Sequence, residues 1–192
     1  MKVVLFDIDG LLLKKQGYLS ERFAKQYGIP LAEVTPFFTN ELRTCQKGKA
    51  DLKHELSKYL PQWRWAGSVD DFMMYWFSSD ADVDEDVFKA VTALRAAGIK
   101  CYLASNQEKY RGEYILHTLD FKSKFVGHFF SFDIGVSKSE PQFFVHVLAE
   151  LGVPAGDVVF LDNDPKNVES AKSVGIDARL YAGIESLRGL LP

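Results

Sequence analysis

From about residue 84 the chain alternates helical stretches with short apolar runs, and this alternation constrains the fold more than any other feature. Within 84–97, Val87, Phe88, Val91 and Leu94 recur on one helical face, and Gly98 stands where a helix would stop. Residues 99–104 read as a strand, 108–119 as a helix and 129–133 as the next strand. A helix over 140–151 leads to a strand at 158–161, then a helix over 165–174 with Pro165 in its first turn. A strand at 178–181 and a short helix at 184–191 complete the series. The N-terminal run Val3-Val4-Leu5-Phe6 is apolar without alternation, the pattern of a strand buried on both faces. The expectation is an α/β fold, a doubly wound, Rossmann-like parallel sheet with helices on both sides.

Residues 18–82 interrupt that rhythm. They carry no strand signal and read as helices, for instance over 20–27, 35–44 and 51–59, punctuated by Gly28, Pro30 and Pro61. The expected organisation is a core of residues 1–17 and 83–192, with 18–82 inserted as a helical-bundle cap. The aromatics of the insertion (Trp63, Trp65, Phe72, Tyr75, Trp76, Phe77) are expected to pack its core rather than to bind a ligand.

Composition narrows the function. Hydrophobic residues make up 47% of the 192 and include fifteen phenylalanines, enough for a well-buried core. A net charge of −3 gives no electrostatic reason to expect a nucleic acid polymer or an anionic membrane surface. Cys45 and Cys101 lie far apart, without metal or redox spacing, and Cys101 falls inside a strand as a small hydrophobe. No signal peptide and no membrane-spanning run is evident, so a reduced, cytoplasmic setting is expected. Nothing in the pattern calls for an obligate protein partner.

Three strand ends carry polar residues: Asp7 and Asp9, Ser105 and Asn106, and Asp162-Asn163-Asp164. Lys138 precedes a further helix. In one parallel sheet these ends share an edge, where ligands of such folds bind. Together they suit chemistry at phosphorus. A carboxylate can attack it, a hydroxyl and backbone N–H groups can hold its oxygens, and a lysine can offset its charge. Magnesium, which takes oxygen ligands, would fit between Asp7 and Asp162.

Taken singly, each residue has an ordinary explanation. Asp-x-Asp-Gly is a common turn, Lys138 would pass as a surface lysine, and Ser105-Asn106 as helix caps. Asp162-Asn163-Asp164 before Pro165 is a plain helix start, and Asn167 would merely brace the loop. His54, His117, His128 and His146 are scattered without metal spacing, and Lys14, Lys15, Lys47, Lys49 and Lys53 read as surface charge, though able to meet an anionic substrate. Order and position lift the constellation above these readings.

The chain resembles the haloacid dehalogenase superfamily of phosphotransferases. The matching stretches are Asp7-Ile8-Asp9-Gly10, Leu103-Ala104-Ser105-Asn106, Lys138 with Pro141 and Phe144, and Phe160-Leu161-Asp162-Asn163 with Asn167. An insertion after the first stretch is similar to the branch with a helical cap, which acts mostly on small phosphorylated metabolites. The resemblance implies a magnesium-dependent phosphatase with an aspartyl-phosphate intermediate. Asp7 would be the nucleophile and Asp9 the general acid and base. Ser105, the backbone at Asn106 and Lys138 would bind the phosphoryl group. Asp7, the carbonyl of Asp9 and Asp162 would hold the metal, with Asn163 acting through a water.

Asn163 stands where many members carry a second acid, Leu11 where a threonine is common, and Ser139 where a proline often follows the lysine. Asp164 is the residue that would compensate for Asn163, although strand alternation points it differently. Three other functions stay open at this point: a phosphomutase, a haloacid dehalogenase and a non-catalytic binding module. Asp9 speaks against the dehalogenase, since halide displacement needs no proton donor.

Overall fold

The computed structural model describes residues 3–190. Its centre is a five-stranded parallel sheet of β1 (Val3–Phe6), β2 (Lys100–Ser105), β3 (Gly127–Phe130), β4 (Val158–Asp162) and β5 (Asp177–Leu180). The order is β3-β2-β1-β4-β5, so the chain winds to one side of β1 and then returns to the other. That reversal opens a crevice at the C-terminal ends of β1 and β4. Phe6 lies level with both Leu103 and Leu161 in the ladder, which brings all three motif-bearing strand ends to one edge.

Alternate residues of the strands feed two cores. Val4, Phe6, Cys101, Leu103, Val159 and Leu161 pack one face, against Val87, Val91 and Leu94 of α6 (Glu85–Ala96). Val3, Leu5, Ala104 and Phe160 pack the other, with Phe143, Phe144 and Val147 of α10 (Pro141–Leu151) and Val168 and Ala171 of α11 (Pro165–Ser173). This is the expected doubly wound arrangement. Caps set the helix starts: Asp84 accepts from the backbone N–H groups of Asp86 and Val87, and Asp164 from that of Lys166.

Residues 19–79 are helical: α1 (Leu19–Tyr27), α2 (Leu31–Pro36), α3 (Leu42–Gln46), α4 (Leu52–Tyr59) and α5 (Val69–Ser79), with one wide turn at Phe37–Glu41 joining α2 to α3. They share a separate apolar cluster built on Phe23, Phe37, Trp63, Phe72 and Trp76. The chain enters and leaves this helical segment side by side, with Leu13 bridging Val83 and Lys14 N–H donating to Asp82 O at 2.7 Å.

Two expected elements differ. The strand expected at 129–133 lies at Gly127–Phe130, because Phe130 pairs with Ser105 and β2 ends there. The chain turns at once into α9 (Ser131–Ile134), closed by Gly135 at φ +83°. The last helix is a single tight turn, Ile184–Leu187, and Gly189 at φ +76° stops it; Leu191 lies outside the described residues. Among the described residues, no helix is long and apolar enough to cross a membrane.

Candidate active site

Asp7 leaves β1 beside Asp162 of β4, one step past the level pair Phe6 and Leu161. Both share the sheet face of Leu5 and Phe160 by alternation. Their carboxylates are buried, at 5% and 0% exposure. Lys138 bridges them, its ammonium donating to Asp7 Oδ1 at 2.5 Å and to Asp162 Oδ2 at 2.6 Å. It also lies over the Phe160 ring, 5.6 Å from the centroid. Burial pulls the Lys138 ammonium down, but the two carboxylates outweigh it and hold the group above the usual lysine range. Burial likewise pushes the Asp7 carboxyl up, Lys138 opposes, and repulsion from Asp162 and Asp9 adds to the rise.

The rest of the constellation closes around this triad. Ser105 Oγ donates to Asp7 Oδ1 at 3.0 Å. Asn106 turns its side chain the other way, its Oδ1 accepting from Lys138 N–H at 2.9 Å, and so fixes the loop that delivers the lysine. Asp162 Oδ2 accepts from Asn167 Nδ2 at 3.0 Å, and its Oδ1 from Asp164 N–H at 2.7 Å. Asp7 Oδ2 takes no hydrogen bond from the described residues and is the free oxygen of the pair. Asp164 is the cap of α11 and makes no contact that replaces a second acid at Asn163. Asn163 instead donates from Nδ2 to the carbonyl of Asp9 at 3.1 Å.

Asp9 has partners that were not foreseen from the sequence. Arg111, on the short helix α7 (Lys109–Glu113), grips it with two hydrogen bonds, and Gln107 Nε2 donates to its Oδ2 at 2.8 Å. Burial would raise the Asp9 carboxyl, but Arg111 outweighs it and holds the group below the usual carboxylate range. Gln107, in the loop before α7, and Arg111, on α7, hydrogen-bond each other at 3.0 Å, so the loop and the start of the helix hold Asp9 together. No local pattern in the sequence marks Arg111 as this partner, since the pair joins residues 102 positions apart.

The two carboxylates and the carbonyl of Asp9 are hard oxygen donors of the kind magnesium takes, with water completing the shell. Lys138 offsets only one of the two buried negative charges, so the pair has room for a further cation. Among the described residues no group of three His, Cys, Asp or Glu side chains is placed to hold a metal. Two carboxylates and a backbone oxygen would suit a magnesium ion that keeps several waters.

A cavity of about 600 Å³ lies over Asp9, lined in part by Arg111, Asp80 and the apolar Phe38, Leu42 and Trp76 of the helical segment. Trp76 thus serves the segment's core and the cavity wall together, where core packing alone was expected. Gln46 anchors that wall, donating from Nε2 to Asn106 O at 3.1 Å and accepting at its carbonyl from Ser131 Oγ at 2.6 Å.

The model of the haloacid dehalogenase-like hydrolases matches residues 1–175. This chain belongs to that family. It is 26% identical over 195 residues to the phosphorylated carbohydrates phosphatase of Thermotoga maritima, spanning 97% of this chain and 87% of that protein. Its fold is shared with a haloacid dehalogenase family enzyme of Bacteroides thetaiotaomicron solved as a magnesium complex, at 19% identity and a TM-score of 0.78, covering 94% and 93% of the two chains. The phosphatase of this family from Thermococcus onnurineus is similar too, at 23% identity and a TM-score of 0.64 over 93% and 85%. The family assignment makes this haloacid dehalogenase-like chain a hydrolase, and the strand-end residues lie where its chemistry can be read.

Proposed function

We propose that this hydrolase is a phosphatase of small phosphomonoesters and works through a phosphorylated Asp7. The observation that carries the reading is Asp7 itself, one oxygen tied to Lys138 and Ser105 and the other free, at the crevice of the sheet. In the first half, the free Asp7 oxygen bonds to phosphorus as the ester P–O bond breaks and the departing oxygen takes the proton of Asp9. Ser105, the backbone N–H of Asn106 and Lys138 receive the phosphoryl oxygens. In the second half, water gives its proton to Asp9 and attacks phosphorus, releasing inorganic phosphate and free Asp7.

Asp9 is ionised beside Arg111, the state a base needs. As an acid it must arrive protonated, which Arg111 opposes, so esters with good leaving groups are favoured in the first half. Asp7, the Asp9 carbonyl and Asp162 would hold magnesium, which when bound supplies positive charge beside the incoming phosphate. The Thermotoga relative, named for phosphorylated carbohydrates, supports a sugar phosphate as substrate.

Residues 18–82 act in this reading as a cap. Support comes from their separate apolar cluster and from polar docking contacts such as Gln46 to Asn106 and Lys47 to Glu140. Closure would exclude bulk water from the intermediate.

The test is phosphate release from an aryl phosphate, with magnesium and with chelator. Release that needs magnesium and vanishes in Asp7→Asn is expected. Undiminished release by Asp7→Asn would overturn the mechanism.

A further inference from the structure

A second cavity, of about 790 Å³, begins at Asn106 and Asn167 and runs between the helical segment and α11. It adjoins the chamber over Asp9, since Gln46 and Asp164 line both. Its charge is lopsided. Arg43, Lys47 and Lys49 stand on the helical side and Lys166 on α11, against the acids Glu140 and Asp164. Lys47 is matched by Glu140 at 2.7 Å, and Asp164 caps α11. Lys49 adds only at longer range to the forces, led by the Lys47 hydrogen bond, that hold the Glu140 carboxyl low. Arg43, Lys49 and Lys166 form no ion pair with any described residue.

The loop that carries Lys47 and Lys49 is not loosely placed. Gly48 sits at φ +64°, and a Cβ there would come within 2.4 Å of Phe132 O, so only glycine lets the backbone approach this closely. The carbonyl of the preceding Gln46 is held by Ser131. Cations on facing walls repel one another unless an anion sits between them. The transferring phosphoryl group is already served by Lys138, which is buried and does not line this cavity.

We propose that the substrate carries a second anionic group, a phosphate or a carboxylate, which lodges among Arg43, Lys49 and Lys166. This rests on the phosphatase reading above. The second group extends from the leaving-group side past Gln46 into the basic cleft, and by bridging its two walls it draws the helical segment onto the core.

The experiment compares kcat/KM for matched esters: fructose 6-phosphate against fructose 1,6-bisphosphate, and glucose 6-phosphate against 6-phosphogluconate. An aryl phosphate serves as the reference in every protein. Wild type should favour the doubly anionic member of at least one pair by about tenfold, the equivalent of one well-placed interaction. Which pair shows the gap identifies the group as phosphate or carboxylate. The double substitution Arg43→Ala with Lys49→Ala should remove the gap and change the singly anionic ester less than about twofold. Lys166→Ala, from the opposite wall, should remove part of it. Equal rates on both members of both pairs, with the aryl phosphate still cleaved, would overturn the second-anion subsite and leave the phosphatase reading standing. A gap that survives all three substitutions would overturn its placement in this cleft. Failure to cleave even the aryl phosphate would bring down both readings together.

Discussion

Arg111 holds Asp9 in a two-pronged pair, Nη2 to Oδ1 at 2.5 Å and Nη1 to Oδ2 at 2.7 Å. The arginine side chain is 10% exposed and the aspartate 45%, so the guanidinium is a buried footing and the carboxylate faces the cavity. Fork-on-fork geometry fixes orientation as well as charge. Arg111 is on this reading a positioning residue.

Arg111→Met should lower kcat by roughly 10- to 100-fold, the scale of a displaced acid–base group, while KM moves little. Arg111→Lys keeps the charge without the fork and should recover only part of the loss. Steady-state kinetics of the two variants checks this. A raised KM with kcat intact would place Arg111 on the substrate instead.

Removing the cation between Asp7 and Asp162 should unsettle the fold as well as the chemistry. Lys138→Met leaves two buried carboxylates side by side, a loss of about 3–5 kcal/mol for breaking such a set from one side. Urea denaturation measures it. Adding Asp7→Asn to Lys138→Met should restore part of the stability, because one of the two stranded charges is gone. A double variant no more stable than Lys138→Met alone would show that the triad's charges are not what the lysine balances.

Gly10 stands at φ +83°, and a Cβ added there would lie 2.0 Å from Asn163 Nδ2. Gly10→Ala should therefore cost about 1–3 kcal/mol for the backbone and displace Asn163 from the Asp9 carbonyl. Activity should fall with stability. Gly10→Ala combined with Asn163→Ala, which clears the clash but keeps the backbone strain, should recover only part of the stability in the same denaturation assay.

Glu108 supplies part of the pH dependence of stability, beside Asp7, whose carboxyl is also pushed up to about 7. Burial pushes its carboxyl up to about 7, although the backbone N–H groups of Tyr110 and Arg111 donate to it and oppose the rise. A raised carboxyl means that the native state binds the proton more tightly than the unfolded chain. Its contribution is fully present below the unfolded value near 4.5 and is lost as pH climbs to about 7. The loss amounts to roughly 3 kcal/mol at most. Glu108→Gln should flatten this slope, read from urea midpoints at pH 5 and pH 8. A slope no smaller than that of the wild type would mean that Glu108 contributes nothing to it.

Much of the site was legible because a parallel sheet collects its strand ends. Asp7, Ser105 and Asp162 each follow an apolar run, and register then sets them within one contact of one another or of Lys138. The partners of those residues were not legible. Arg111 lies 102 positions from Asp9, and no local pattern distinguishes it from an ordinary helix arginine. The strand expected to run through Asp133 stopped at Phe130 because its neighbour ended, a fact of pairing rather than of propensity. Cys101, by contrast, sits inside β2 as expected, fully buried.

Periodicity and strand-end chemistry by themselves determined the layered α/β core, its helical insertion and the residue types at the crevice. Those signals are local, and a hydrophobic period or a carboxylate after a strand reads the same wherever the chain later folds. Tertiary structure alone decided which charges meet. It placed Lys138 between Asp7 and Asp162, gave Asp9 to Arg111, and left Arg43, Lys49 and Lys166 on an open cleft without an ion-pair partner among the described residues. The physical reason is that pairing energy depends on separation and burial, and both are set only when distant segments pack.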